Sequence, residues 1–105
     1  MAKGIINGGI CGFSTIVEVH KINDRCVDIE ISSNCSNIKK IAKELTKVDA
    51  FDELFSRILF TKTYRIASEI IPHPSCLVPA GILKTIEIEM DLSLPQEANI
   101  KVETS

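Results

Sequence analysis

Prolines constrain this chain most strongly between residues 72 and 79. The stretch reads PHPSCLVP and holds three of the four prolines in the 105-residue sequence. Because proline fixes φ and has no backbone N–H, the stretch is predicted to be a rigid, non-helical passage. A helical pattern follows it directly, so Cys76 is expected at a helix start. Free N–H groups and the helix dipole there favour a thiolate, the form of cysteine that binds metals and attacks electrophiles.

Two alternating runs, residues 13–20 and 26–32, predict a β-hairpin. If its turn is centred near Asn23, paired residues have numbers that add to 46 or 47. Cys11 and Cys35 would then face each other at the open end, with Cβ atoms about 4.5–5.5 Å apart. That spacing would allow the two sulfurs to share one ion or cluster.

Helical periodicity follows the hairpin. Ser33, Asn34 or Ser36 is predicted to cap the first helix, and Asp49 to begin the second. A third helix is expected from about residue 61 until proline stops it. The residues predicted to face the core from these three helices are Ile38, Ile41, Ala42, Leu45, Val48, Phe51, Leu54, Phe55, Ile58, Leu59, Tyr64, Ala67, Ile70 and Ile71.

The fourth helix is predicted over residues 77–90, with a proline in its first turn. Residues 86–94 also alternate as a strand would, but the spacing of Val78, Ile82 and Ile86 favours the helix. A short strand is predicted after Pro95. The expected fold is a single α+β domain over residues 1–105, in the order β-β-α-α-α-α-β, with helices on one face of a small three-stranded sheet.

Composition narrows the classes of function. The chain has 12 basic and 14 acidic residues, so its net charge of −2 gives no reason to expect nucleic-acid binding. No apolar run is long enough to span a membrane. Glycines interrupt the apolar N-terminal run and no small-residue cleavage site follows it, so we expect a cytoplasmic protein. Its four cysteines are then expected to be reduced thiols or ligands rather than disulfides.

Cys11, Cys35 and Cys76 are the candidate site residues. As thiolates at one end of the sheet they would suit an iron–sulfur cluster or zinc, with His73 or Cys26 as a further ligand. Their separations of 24 and 41 residues contain no Cys-x-x-Cys motif. The alternative is that they are small buried apolar side chains, as free cysteines often are.

Several short motifs carry a family resemblance. The chain contains Cys-Gly-Phe at Cys11, Ser-Asn-Cys ending at Cys35, and His-Pro-Ser-Cys-Leu-Val-Pro from His73, followed by Ile-Leu-Lys from Ile82. With these it resembles, over nearly its whole length, a family of small uncharacterised proteins from anaerobic bacteria and methanogenic archaea. The Cys76–Pro79 spacing is also faintly similar to a sulfur-carrier family in which Cys-Pro-x-Pro starts a helix, although Leu77 replaces the first proline.

The three candidate cysteines and the predicted sheet lead to three hypotheses of function. The first is a metal- or iron–sulfur-binding protein acting as a redox or metal accessory or sensor. The second is a thiol or persulfide sulfur carrier that uses Cys76, with Cys11 or Cys35 as a resolving partner. The third is a non-catalytic module whose sheet edge pairs with a protein partner. No acid–base or Ser/His/Asp constellation indicates an enzyme, and the sequence leaves the metal, the partner and the oligomeric state open.

Overall fold

The computed structural model describes residues 1–105 and shows a mixed α+β fold with a four-stranded antiparallel sheet and four helices. The strands lie in the order of the sequence and are β1 (Ala2–Asn7), β2 (Ser14–Lys21), β3 (Cys26–Ser33) and β4 (Lys47–Asp49). The helices are α1 (Ser36–Glu44), α2 (Ala50–Phe55), α3 (Lys62–Ile70) and α4 (Val78–Glu89). Two short 3₁₀ helices, Gly9–Cys11 and Ile58–Phe60, connect these elements.

Alternation along the central strands separates the two faces of the sheet. Val17 and Val19 of β2, with Val27 and Ile29 of β3, are buried and belong to the hydrophobic core. Helix α1 packs on β3, and α4 packs on β1 and β2. The residues between these valines and isoleucines, such as Glu30, point to the opposite face. The helices therefore cover one face of the sheet, as predicted.

The hairpin is confirmed, but its predicted register is wrong. Thr15 pairs with Ser33 and Val17 with Ile31, so the turn is centred one residue later than expected. The reason lies in the loop, where the Asn23 side-chain oxygen accepts hydrogen bonds from the backbone N–H groups of residues 25 and 26. Cys11 consequently lies beyond the last pair of this ladder and is not paired with Cys35.

Strand β1 was missed because glycines interrupt its apolar pattern. Those glycines allow close packing between β1 and α4. A Cβ atom at Gly4 would collide with Oγ1 of Thr85, and one at Gly81 would collide with the side chain of Ile6. The two glycines thus let the helix approach the strand, and the residues around Gly4 form an edge strand rather than a loop.

The predicted three-stranded sheet is a four-stranded one, and its third predicted strand does not form. Residues 95–105 are exposed and have no regular secondary structure. Instead Val48, expected on the first helix, lies in β4 and pairs with Val27. Helix α1 ends at Glu44, and the buried Leu45 turns the chain back towards the sheet.

The second helix is shorter than predicted. Asp49 caps it as expected, accepting hydrogen bonds from the N–H groups of Phe51 and Asp52. The helix ends at Phe55, however, and Phe55, Ile58 and Leu59, which were predicted to face the core, are exposed. Helical periodicity alone could not reveal that residues 56–60 leave the helix.

The fourth helix is confirmed, and it begins at Val78 rather than at residue 77. Val78, Ile82 and Ile86 are buried as predicted, so the alternation over residues 86–94 does not produce a strand. None of the helices combines the length and the apolar character that a membrane crossing requires.

Candidate functional site

The topology brings the three candidate cysteines to the same end of the sheet. Strands β1 and β3 both run antiparallel to β2, so their last residues lie at the same end of the sheet, next to the first residues of β2. Cys11 follows β1 and Cys35 follows β3. Helix α4 begins there too, because Gly81 in its first turns contacts Ile6 near the end of β1. Cys76 lies two residues before that helix. Side chains 24 and 41 residues apart in sequence thus share one end of the domain.

Cys11 is exposed at this end. It closes the 3₁₀ helix Gly9–Cys11, which Gly12 terminates with a positive φ of 75°. A Cβ atom at Gly8 would collide with the Cys11 sulfur, so glycine at position 8 gives the thiol its space. Of the glycines around Cys11, Gly8 is the one that allows this close approach, since a Cβ atom at Gly9 or Gly12 would meet nothing within 4 Å.

Cys35 is the N-cap residue of α1 and is half-buried against the hydrophobic core. The cap predicted from Ser33, Asn34 or Ser36 does not form, since no side chain caps this helix. The hydroxyl oxygen of Ser33 instead accepts a hydrogen bond from the Cys35 N–H over 3.1 Å. Cys35 is therefore held by its backbone, while its sulfur forms no disulfide.

Cys76 lies in the lining of a cleft of about 380 Å³ between α3 and the proline-rich stretch that precedes α4. It is half-buried and contacts the core, and it is the only cysteine in this lining. His73, exposed between two prolines, lines the same cleft. The cleft is open to solvent, since Ser68, His73 and Pro74 in its lining are exposed.

The lining of the cleft is mostly apolar and contains no aspartate, glutamate, lysine or arginine. Besides Cys76 and His73, its polar groups are the hydroxyls of Tyr64 and Ser68. Tyr64 and Ser68 are four residues apart on α3 and so lie on one face of it. Tyr64 was predicted to face the core, and Ser68 was not predicted as a site residue. The four-residue spacing of the two on a helix that ends just before Pro72 is the sequence feature that indicates a shared face.

The structure contains no group of three or more histidine, cysteine, aspartate or glutamate side chains arranged to hold a metal ion. Cys11, Cys35 and Cys76 share an end of the sheet without forming such a group. Cys26 lies at the other end of β3, seven residues from Ser33, which corresponds to about 23 Å along a strand. It is therefore far from the other three thiols.

The perturbed ionisable groups also lie away from this end. Arg25, in the hairpin turn, hydrogen-bonds to Asp49 at 2.9 Å and lowers the pKa of that carboxyl group. The N–H groups of Asp52 and Phe51 lower it further. This ion pair joins the hairpin to the start of α2, so we assign it a structural role.

Comparison with known proteins gives a family and no function. No curated protein matches the chain, and no solved structure matches it. The sequence matches a family of unknown function, DUF6951, over residues 2–102, which includes every candidate cysteine. The chain therefore belongs to the DUF6951 family.

Proposed function

We propose that this protein is a thiol-based sulfur carrier whose working residue is Cys76. The observation that carries the proposal is the cleft between α3 and the proline-rich stretch, in which Cys76 is the only thiol and His73 the only imidazole. Pro74 and Pro79 restrict the backbone φ angles on both sides of Cys76. Four free cysteines fit a reducing compartment, and the proposal assigns the protein to the cytoplasm.

The chemistry is a transfer of sulfane sulfur. The thiolate of Cys76 attacks the outer sulfur of a donor persulfide, a new S–S bond forms at Cys76, and the donor's own S–S bond breaks. The donor leaves as a thiolate, so the exchange needs no external oxidant. As the only imidazole in the lining, His73 is the group we assign to take up the proton of the Cys76 thiol.

The test is to incubate the reduced protein with a small persulfide donor and to locate the added sulfur by peptide mass spectrometry. We expect Cys76 to gain one sulfur atom and the Cys76→Ser variant to remain unmodified at that peptide. Cys26→Ser is the matched control, because Cys26 is also half-buried but lies at the other end of the sheet. Equal modification of all four cysteines would contradict a dedicated carrier site.

A second candidate is a zinc or iron–sulfur site made by Cys11, Cys35 and Cys76. What favours it is that all three cysteines lie at one end of the sheet, with His73 three residues before Cys76. Against it, no three of these side chains form a group that could hold a metal ion. We therefore rank it second.

Anaerobic purification separates the two candidates. The metal-site candidate requires bound iron with acid-labile sulfide, or bound zinc, in the wild-type protein and its loss in a Cys11→Ser, Cys35→Ser, Cys76→Ser triple variant. The sulfur-carrier proposal requires metal-free protein that still takes up sulfur at Cys76. Elemental analysis and an absorption spectrum report the bound metal, and peptide mass spectrometry of the same sample after incubation with the persulfide donor reports sulfur at Cys76.

A further inference from the structure

Four large apolar side chains lie exposed between α2 and α3. Phe55, Ile58, Leu59 and Phe60, called the apolar patch below, are 70%, 65%, 81% and 72% exposed. They fall within six consecutive residues, and the sequence pattern predicted that three of them would be buried. Contiguous exposed apolar patches larger than a few hundred Å² mark interaction sites in folded proteins.

The backbone beneath the apolar patch is held firmly. The N–H of Phe60 donates to the Arg57 carbonyl over 2.9 Å, and the Thr61 hydroxyl donates to the Ile58 carbonyl over 2.9 Å. On the far side, the buried carboxylate of Glu53 accepts hydrogen bonds from the N–H groups of residues 62 and 63. Since these bonds fix the segment, its apolar side chains are displayed to solvent by the fold.

An aromatic stack extends the apolar patch towards the hairpin. The rings of Phe51 and Phe55 are stacked with centroids 5.8 Å apart. The guanidinium carbon of Arg25 lies 5.1 Å from the centre of the Phe51 ring. The exposed ring of Phe55 therefore packs on Phe51, which in turn packs against Arg25. Aromatic and arginine side chains packed in this way are typical of the centres of interfaces.

We propose that the apolar patch is the interface with a second copy of this chain in a two-fold symmetric dimer. The four side chains expose roughly 500 Å² of apolar surface together. A standard interface buries about 800 Å² on each partner, so the patch and its polar rim supply the area that a dimer needs. A two-fold axis through the patch would place the same side chains against each other and remove them from water.

The rim adds little charge. The exposed carboxylate of Asp52 lies 3.7 Å from the guanidinium of Arg25 in the same chain, so of the two rim residues only Arg57 has no ion pair. A single unpaired charge at a solvent-exposed rim opposes contact with a second copy only weakly. The exposed C-terminal residues are a poorer fit, because Leu94, Ile100 and Val102 are spread over nine residues that also contain charged side chains and a proline.

The experiment is sedimentation equilibrium of the full chain over a range of concentrations. We expect a monomer–dimer equilibrium in the wild type. Leu59→Asp buries a charge at the centre of the interface and should raise the dimer Kd at least about 30-fold. Because Leu59 contributes nothing to the core, circular dichroism and Tm of the monomer should not change.

Two variants serve as controls. Ile10→Asp alters a fully exposed isoleucine far along the chain and should leave the dimer Kd unchanged. The double variant Ile100→Asp, Val102→Asp should do the same. A wild type that stays monomeric at all concentrations, a Leu59→Asp variant that still dimerises, or a dimer lost in the double variant would each overturn the proposal.

Discussion

At the scale of single residues, the buried Glu53 decides how α2 joins α3. It is only 5% exposed, and its two carboxylate oxygens accept hydrogen bonds from the backbone N–H of Lys62 and from both the N–H and the hydroxyl of Thr63. Together with the Thr61 side chain, which accepts from the Tyr64 N–H, these bonds satisfy the free N–H groups at the start of α3. Glu53 lies in the first turn of α2, where negative charge complements the helix dipole. Nothing in the sequence indicates its hydrogen-bond partners, which lie nine and ten residues away.

Replacing this carboxylate tests that role. Glu53→Ala should lower the free energy of unfolding by about 2–3 kcal/mol, because buried donors at the start of α3 lose their acceptor. Urea unfolding followed by circular dichroism measures the change. The matched control is Glu69→Ala, an exposed glutamate on α3, which should change stability by less than about 0.5 kcal/mol. Equal effects of the two substitutions would show that the hydrogen bonds of Glu53 do not stabilise the fold.

At the scale of elements, the contact between β1 and α4 depends on two glycines. The Thr85 hydroxyl donates to the Gly81 carbonyl over 2.8 Å and occupies the space where a Cβ of Gly4 would lie. Gly4→Ala should therefore destabilise the protein by about 1–3 kcal/mol through overpacking. Combining it with Thr85→Ala removes the colliding oxygen, so the double variant should be more stable than the sum of the two single effects predicts. Thermal unfolding of the four proteins forms a double-mutant cycle, and strict additivity would contradict the collision.

The same pair of elements shows what the sequence could and could not predict. Helix α4 was predicted because Val78, Ile82 and Ile86 follow helical spacing and a proline occupies its first turn. Strand β1 was not, since the requirement for Gly4 arises from Thr85, about 80 residues later, and no local pattern contains that information. For the same reason the sequence singled out the cysteines and His73, while the cleft that joins Cys76 to Tyr64 and Ser68 follows only from the packing of α3 against the stretch before α4.

At the scale of the whole molecule, Glu89 ties the end of α4 to the strands that the helix covers. Its carboxylate accepts a hydrogen bond from the Lys21 N–H over 2.8 Å and lies 3.3 Å from the N-terminal ammonium of Met1. Partial burial acts to raise the pKa of Glu89, but the hydrogen bond from Lys21 and the nearby ammonium outweigh it, so the pKa lies below the ordinary value of 4.5. This contact links α4 to β2 and to the N-terminus at the end of the domain that lies opposite Cys11, Cys35 and Cys76.

This contact should make the fold sensitive to acid. A carboxyl group whose pKa is lowered by folding binds its proton more readily in the unfolded chain, so its contribution to stability is present above pH about 4.5 and is lost as the pH falls further. We expect the free energy of unfolding of the wild type to fall between pH 5 and pH 3, measured by urea denaturation at a series of pH values.

Glu89→Gln should lower the free energy of unfolding by about 1–2 kcal/mol at pH 7, because the charged acceptor is gone. It should also make the decrease between pH 5 and pH 3 shallower. Glu97→Gln, which removes an exposed C-terminal carboxylate, should keep the wild-type slope; an unchanged slope in Glu89→Gln as well would assign the acid sensitivity to other carboxylates, with Asp49 beside Arg25 the next to test.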